Sequence, residues 1–210
     1  MQIYIACIAS YNNGTLHGKW IDATSDVDEM QEDVDVLLRS SKYPNVMVEC
    51  PACGGVCRVG ACSTCKGSGV CRLGACLTCK SSGEVPSAEE FAIHDFDGIP
   101  NLGEYCGLRA VADYVEFVEA HDYFEADEIK AVLDDCCGDL ALAKERLEDG
   151  YCGTFARFQD FADEYVDDCI LPDVDNEMAQ RYFDYESFAR DLEIEMHTID
   201  TPVGVMVFHA

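Results

Sequence analysis

The cysteines are the residues whose spacing is most typical of a chemical site. Eight of the fourteen lie between Cys50 and Cys79, and they include three CxxC pairs. A CxxC pair places two thiolates on one tight turn, which supplies half of a tetrahedral zinc site with Zn–S distances of about 2.3 Å. The sequence begins without a signal-like segment, so we expect these cysteines to be metal ligands rather than disulfides.

Eight thiols divide into two Cys₄ sites, and a nested arrangement is the most economical. The outer site would use Cys50, Cys53, Cys76 and Cys79, and the inner site Cys57, Cys62, Cys65 and Cys71. We therefore predict two structural zinc ions. A reduced cysteine-rich loop without metal, or a single zinc with spare thiols, is the alternative. A catalytic zinc is disfavoured because every candidate ligand is a cysteine and no general base is indicated nearby.

The cysteine segment is also a repeat with a charge of its own. The stretch that begins Cys57-Arg-Val-Gly-Ala-Cys recurs fourteen residues later as Cys71-Arg-Leu-Gly-Ala-Cys. Residues 50–83 hold four basic residues and no acidic one, whereas the whole chain carries −27. This contrast in charge predicts an inserted unit that folds separately from the rest of the chain. It could extend a mimic of nucleic acid formed by the rest of the chain, bind another factor or nucleic acid, or stabilise its loop.

The charge of the whole chain narrows the class of partner. Forty-one acidic residues stand against fourteen basic ones, and about half of the 210 residues are apolar. Such a chain can bury a core, but its acidic body repels nucleic acid and anionic membranes, so we expect a basic partner. No apolar run approaches the roughly 18 residues that span a bilayer. These features predict a cytoplasmic protein that contacts neither membrane nor nucleic acid directly.

Many acidic residues lie on the polar faces of predicted helices. Helical neighbours three or four positions apart have Cβ atoms about 5–6 Å apart, and duplex DNA carries one charge per roughly 1.7 Å of axis. Carboxylate rows on successive helices can therefore approximate a phosphate backbone, although an ordinary solvated acidic surface is an equally valid interpretation. The candidate phosphate mimics are Asp113, Glu116, Glu119, Asp127, Glu128, Asp134, Asp135, Glu148, Asp149, Asp160, Asp163, Glu164, Asp167, Asp168, Asp173 and Asp175.

The order of predicted elements indicates an α+β fold, arranged as an elongated chain of three small subdomains with an inserted zinc-binding unit. A hairpin is followed by a helix that Thr24 or Ser25 could cap. A long helix is predicted from Leu102 to about Ala120, and a hairpin around Thr201 and Pro202 closes the chain. The predicted divisions are 1–49 plus 84–100, the unit 50–83, a helical subdomain 101–150 and an α+β subdomain 151–210.

No arrangement of residues indicates catalysis. The sequence lacks the GxSxG, HExxH, P-loop and dinucleotide-binding motifs. Five histidines are present, and the one best placed for catalysis, His94, precedes Asp95 in a predicted strand, where the two side chains face opposite ways and form no dyad. We therefore predict that the protein is not an enzyme.

Several blocks of sequence resemble the ArdA antirestriction family. They are Gln2–Ile5, Tyr11–Trp20, Glu90–Phe96, Tyr182–Leu192 and Gly204–Phe208, and they occur in the family's order. The resemblance implies an antirestriction protein of mobile DNA that mimics bent duplex DNA, occupies the DNA groove of type I restriction–modification enzymes and has no catalytic activity. Residues 50–83 depart from the family pattern.

The resemblance also implies a homodimer. Four residues of the third subdomain, which lies near the family's dimer interface, are expected to serve dimerisation or the fold: Tyr182, Tyr185, Arg190 and Asp191. An alternative function comes from the cysteine segment, because Cys62–Gly69 is similar to the CxxCxGxG element in the zinc region of J-domain co-chaperones. On that basis the protein would be a zinc-binding adaptor or chaperone-like module for a basic or unfolded protein.

Overall fold

A computed structural model describes residues 1–54, 76–80, 82–173 and 177–209. The chain divides into two compact units, Met1–Glu116 and Phe117–Ala210. Both contain helices and sheets, which confirms the predicted α+β class. No helix in the described ranges is long and apolar enough to cross a bilayer.

A three-stranded antiparallel sheet forms the centre of the first unit. Its strand order is β2-β1-β5, with β1 at Gln2–Cys7, β2 at Gly18–Asp22 and β5 at Phe91–Asp97. A short helix, α1 at Ile8–Asn12, turns the chain between β1 and β2, so the predicted N-terminal hairpin is confirmed. β-Branched residues alternate along β1, and this pattern buries one face of the strand completely.

Helix α2, at Val27–Arg39, covers this sheet and contacts β1 and β2. Its apolar residues recur every three or four positions, so they form one stripe along the helix. The buried members of this stripe are Met30, Val34, Leu37 and Leu38. The polar face of the helix is strongly acidic.

The N-cap of α2 is Asp26, and not Thr24 or Ser25 as predicted. The Asp26 carboxylate accepts hydrogen bonds from the backbone N–H groups of Asp28 at 2.9 Å and Glu29 at 3.3 Å. A carboxylate at this position satisfies two otherwise unpaired donors and also interacts favourably with the helix dipole. The charge of Asp26 therefore stabilises the helix on which it lies.

The remaining elements of the first unit are two short strands and the start of a long helix. They are β3 at Val46–Glu49, β4 at Glu84–Ser87 and α3 at Gly107–Ala120. Helix α3 begins five residues later than predicted because Gly103 and Gly107 have φ angles of 97° and 77°. Left-handed backbone of this kind interrupts a right-handed helix, so α3 can begin only at Gly107, which is its terminal residue.

The second unit contains five α-helices within the described ranges and a three-stranded antiparallel sheet of order β6-β8-β7. The helices are α4 at Ala126–Asp135, α5 at Leu140–Glu145, α6 at Phe158–Tyr165, α7 at Glu177–Arg181 and α8 at Tyr185–Glu195. The strands are β6 at Tyr151–Phe155, β7 at Met196–Thr201 and β8 at Gly204–His209. π-Helical turns at Arg146–Gly150 and Val166–Ile170 follow α5 and α6, and a 3₁₀ turn lies at Leu171–Asp173. The predicted closing hairpin is confirmed.

The core of the second unit lies where α6 and α8 pack against the sheet. Phe158, Phe161, Ala189 and Val207 are buried together there. The hairpin that supports this core requires glycine at Gly204, whose φ is 152°. A Cβ at that position would lie 2.3 Å from the carbonyl oxygen of Phe155, so no other residue fits without displacing backbone.

Substitution of Asp26 by alanine is expected to destabilise the first unit by about 1 kcal/mol, because two N-terminal donors of α2 lose their acceptor. The matched control is Glu32→Ala, which removes the same charge from the middle of the exposed face of α2 and should change stability by less than about 0.5 kcal/mol. The chain has one tryptophan, Trp20, so its fluorescence during urea unfolding reports on the first unit. Equal effects of the two substitutions would contradict the capping role.

Candidate functional site

The cysteine segment is attached to the first unit through a two-stranded ribbon. Strands β3 and β4 pair in antiparallel register, from Val46 opposite Ser87 to Glu49 opposite Glu84. The ladder continues one step further, where the N–H of Cys50 donates to the carbonyl of Gly83 at 2.9 Å. The chain thus enters and leaves residues 50–83 at adjacent positions, as an insertion within a hairpin requires.

Each CxxC pair at the end of the ribbon forms a tight turn, or knuckle. In the first knuckle, the Cys50 carbonyl accepts the N–H groups of Cys53 at 3.2 Å and Gly54 at 2.8 Å. In both knuckles the residue after the second cysteine is left-handed, with φ angles of 56° at Gly54 and 52° at Lys80. A left-handed lysine costs roughly 1–2 kcal/mol, so the contacts of the second knuckle must hold it in this conformation.

The two knuckles bring four sulfur atoms together. The Sγ atoms of Cys50, Cys53, Cys76 and Cys79 all lie within 4.8 Å of one another. Two of the distances, Cys50 to Cys76 and Cys53 to Cys79, are 3.7 Å. A tetrahedral site with Zn–S bonds of about 2.3 Å has S–S edges of about 3.8 Å. The predicted outer quartet is therefore confirmed as a cluster that could bind a metal ion, whereas Cys57, Cys62, Cys65 and Cys71 lie outside the described residues.

The surroundings of the quartet favour thiolate ligands held in a partly dry site. Cys50 is fully buried and Cys79 is nearly so, and both pack with Val85 of β4. The backbone N–H of Cys79 lowers the pKa of the Cys76 thiol. A lowered pKa increases the fraction of thiolate, which is the form that binds metal.

The predicted phosphate mimics differ in their partners, and one group of them is neutralised locally. Five of these carboxylates form ion pairs with a basic residue: Asp113 with Arg109, Asp134 with Lys130, Asp135 with Arg146, Glu148 with Lys144 and Asp160 with Arg157. Four of the five pairs join residues three or four positions apart on one helical stretch. An exposed pair of this kind contributes only a few tenths of a kcal/mol.

A second group of carboxylates is exposed and makes no ion pair within the ranges that the structure describes. Its members are Glu116, Asp127, Asp149, Glu164 and Asp168. Glu119 is also exposed, Asp163 accepts a hydrogen bond from Gln159 at 2.6 Å, and Asp167 accepts one from Tyr185 at 2.6 Å. Asp173 ends the 3₁₀ turn, and Asp175 falls outside the described residues. Glu116, Asp127, Asp149, Glu164 and Asp168 are therefore exposed carboxylates whose charge no ion pair neutralises within the described ranges.

Glu128 does not belong to the exposed set. Glu128 is only 7% exposed. Its carboxylate accepts hydrogen bonds from the Thr154 hydroxyl at 2.7 Å and the Glu125 N–H at 3.0 Å. A buried carboxylate with both oxygens bonded inside the protein cannot present charge to a partner. We therefore assign Glu128 to the fold, where it ties α4 to β6.

Asp135 is part of a cluster that sequence analysis did not identify. Its carboxylate accepts from Arg146 and lies 3.0 Å from Nε2 of His197 on β7. Burial and the neighbouring Arg146 guanidinium lower the pKa of His197. These residues are 11 and 62 positions from Asp135, so no local pattern in the sequence could have predicted their contact.

The four residues expected to serve dimerisation or the fold are placed differently. The Tyr185 hydroxyl donates to Asp167, and the Arg190 guanidinium donates to the Ser187 hydroxyl at 3.0 Å. Tyr182 is 76% exposed, and Asp191 is also exposed. Tyr185 and Arg190 therefore have contacts within their own unit, while Tyr182 presents an aromatic ring to the surface.

Comparison with known proteins supports the resemblance drawn from the sequence blocks. The family model for antirestriction protein (ArdA) matches residues 3–207. This range includes both compact units and runs across the cysteine segment. A search of curated proteins found no match.

We expect the full-length protein, purified under reducing conditions with zinc, to lose one equivalent of zinc when Cys50 and Cys79 are both replaced by serine. Each replacement removes one ligand from a different knuckle, so the quartet cannot close. Zinc content is measured by elemental analysis, and Cys106→Ser with Cys137→Ser is the matched control. Zinc should also be released as the pH falls, because protons compete for the thiolates. An unchanged zinc content in the Cys50/Cys79 variant would refute the assignment.

Proposed function

The chain belongs to the ArdA family of antirestriction proteins, and on this basis we propose that it is an acidic mimic of duplex DNA that binds and inhibits type I restriction–modification enzymes. Membership implies a protein inhibitor rather than an enzyme, and interaction with restriction enzymes. Inhibition in this mode protects incoming mobile DNA from cleavage in the cytoplasm. The homodimer that the resemblance implies is part of the proposal.

The observation that carries this proposal is the set of exposed carboxylates without ion pairs. In the second unit, Asp127 lies on α4, Asp149 on the π-helical turn after α5, Glu164 on α6 and Asp168 on the π-helical turn after α6. A DNA-binding groove is lined with basic side chains that normally meet phosphates. Carboxylates that are not already neutralised can take the place of those phosphates.

Electrostatic cost supports a role for the charge itself. With a net charge of −27, the folded chain repels itself, and compact states are destabilised by such repulsion. Ion pairs relieve some of it, and the N-terminus of α4 favours Asp127 in its first turn, but no exposed carboxylate that lacks an ion pair is neutralised by a cation within the described ranges. Binding to a basic groove would relieve the repulsion and at the same time release ions from both surfaces.

The cysteine quartet supports a second candidate function, a zinc-binding adaptor or chaperone-like module. Its four sulfurs lie within 4.8 Å of one another, with two of the distances at 3.7 Å, and the segment around them carries no acidic residue. In our proposal, two structural zinc ions close this inserted unit, and the acidic body acts without it. The two functions are separable because they use different residues.

Purified protein should inhibit DNA cleavage by a type I restriction enzyme stoichiometrically at near-physiological salt. The reason is that a mimic competes with DNA for the whole groove. A nonspecific attraction between opposite charges is instead screened by salt beyond about 8 Å. The measurement is a titration of cleavage, with a simple endonuclease of similar basic charge as the control. Equal inhibition of both enzymes would show that the protein acts only through nonspecific negative charge.

The Cys50/Cys79 serine variant should inhibit the type I enzyme as the wild type does. Loss of inhibition in a variant that remains folded would favour the adaptor function.

Neutralising four exposed carboxylates together should weaken inhibition about tenfold, or about 1.4 kcal/mol, while each single change has little effect. The variant combines Asp127→Asn, Asp149→Asn, Glu164→Gln and Asp168→Asn. Its matched control removes four exposed acids of the first unit, with Asp22→Asn, Glu32→Gln, Glu89→Gln and Asp97→Asn. Both variants have the same net charge, so equal loss of inhibition would contradict a specific surface. Circular dichroism verifies that both remain folded.

A further inference from the structure

The sulfur atoms of the quartet form two close contacts between the knuckles. Cys50 Sγ lies 3.7 Å from Cys76 Sγ, and Cys53 Sγ lies 3.7 Å from Cys79 Sγ. Each contact joins residues 26 positions apart, one from the side of β3 and one from the side of β4. Each therefore crosses the ribbon.

Exposure differs between the two sulfurs of each contact. Cys50 and Cys79 are buried, whereas Cys53 and Cys76 are half-buried. Each contact thus combines one cysteine that a small molecule can reach with one that it cannot. In cysteine oxidation, the accessible thiolate reacts first and a second thiolate nearby then resolves the product. Cys50 with Cys76 and Cys53 with Cys79 combine this difference in exposure with a sulfur–sulfur distance of 3.7 Å.

We propose that the quartet is a site of oxidation by peroxides, which convert it into two disulfides, Cys50–Cys76 and Cys53–Cys79. The accessible sulfur attacks one oxygen of hydrogen peroxide, which forms a sulfenic acid and releases hydroxide. The buried sulfur of the same contact attacks the sulfenic sulfur, forms the S–S bond and releases a second hydroxide. Four thiolates with one Zn²⁺ and two peroxide molecules thus give two disulfides, Zn²⁺ and four hydroxide ions.

The pairing between knuckles has a structural consequence. A disulfide between residues 26 positions apart removes much conformational entropy from the unfolded chain, whereas a disulfide within one CxxC closes only a very short loop. Disulfides across the ribbon also keep the ends of β3 and β4 together after the metal has left. The ribbon is then closed by metal in reducing conditions and by disulfides in oxidising ones.

The order of attack follows from exposure, because Cys53 and Cys76 are the half-buried members of the two contacts. The inference concerns the quartet alone and goes beyond the inhibition of restriction enzymes. A failure of either proposal leaves the other untouched, because the two are measured by different assays.

The experiment treats full-length protein with hydrogen peroxide, both zinc-loaded and stripped of metal by a chelator under reducing conditions. A chromogenic chelator measures released zinc, and peptide mapping without reduction identifies the disulfides. We expect one equivalent of zinc from this quartet, together with the cross-linked pairs Cys50–Cys76 and Cys53–Cys79. The metal-free protein should give the same pairs, so the result does not depend on which metal is bound.

Two double variants provide the matched test. Cys50→Ser with Cys76→Ser removes one whole pair and leaves the other intact, while Cys50→Ser with Cys79→Ser removes one member of each. Both variants lose the four-sulfur site to the same extent. We expect the first to form the Cys53–Cys79 disulfide and the second to form no disulfide between knuckles.

Three results would overturn the proposal. They are disulfides within Cys50–Cys53 and Cys76–Cys79, oxidation of single cysteines to sulfinic or sulfonic acid without cross-linking, and equal cross-linking in the two double variants. A fall of more than a few degrees in the melting temperature on oxidation would likewise contradict closure by disulfides. Trp20 fluorescence measures that melting in the first unit.

Discussion

Repulsion between carboxylates is the constraint on which the rest of this structure depends. A chain of 210 residues with a net charge of −27 must place its acids where something local compensates them, or leave them in water. Helix N-termini are the first such place. Asp26, Asp139 and Asp184 each accept backbone N–H groups at the start of a helix, where the helix dipole favours negative charge. The scarce basic residues are the second, because five of the fourteen form an ion pair with an acid three or four positions away.

Each of the two compact units offsets this repulsion by burying an ordinary hydrophobic core. Helix α2 buries its apolar stripe against the first sheet, and α6 with α8 does so against the second. The acids left over are those without a cap, a cation or a buried donor, and they are the ones that we propose meet the partner. The carboxylates that the fold leaves uncompensated are therefore the same residues that the proposed function assigns to the partner.

Patterns within one element could be predicted from the sequence, and contacts between distant elements could not. The stripe of α2 and both terminal hairpins follow from apolar periodicity and turn residues, and so does the proximity of the outer cysteine quartet. The start of α3 was predicted too early because the φ angles of Gly103 and Gly107 are invisible in a sequence. Glu128 has the same spacing as its exposed neighbours, and only its contact with Thr154, 26 residues away, makes it a buried structural residue.

Zinc bound by the four-sulfur cluster would also change the electrical character of the segment that contains it. A zinc ion with four thiolates carries a net charge of −2, because each ligand has lost its proton. Two such centres would contribute −4, which equals in size the positive charge of the four basic residues between 50 and 83. A segment that is basic as a peptide would then be electrically neutral as a metal-filled unit. It would neither attract DNA nor bind to the acidic body of its own molecule, so it could be inserted without disturbing the field around the protein.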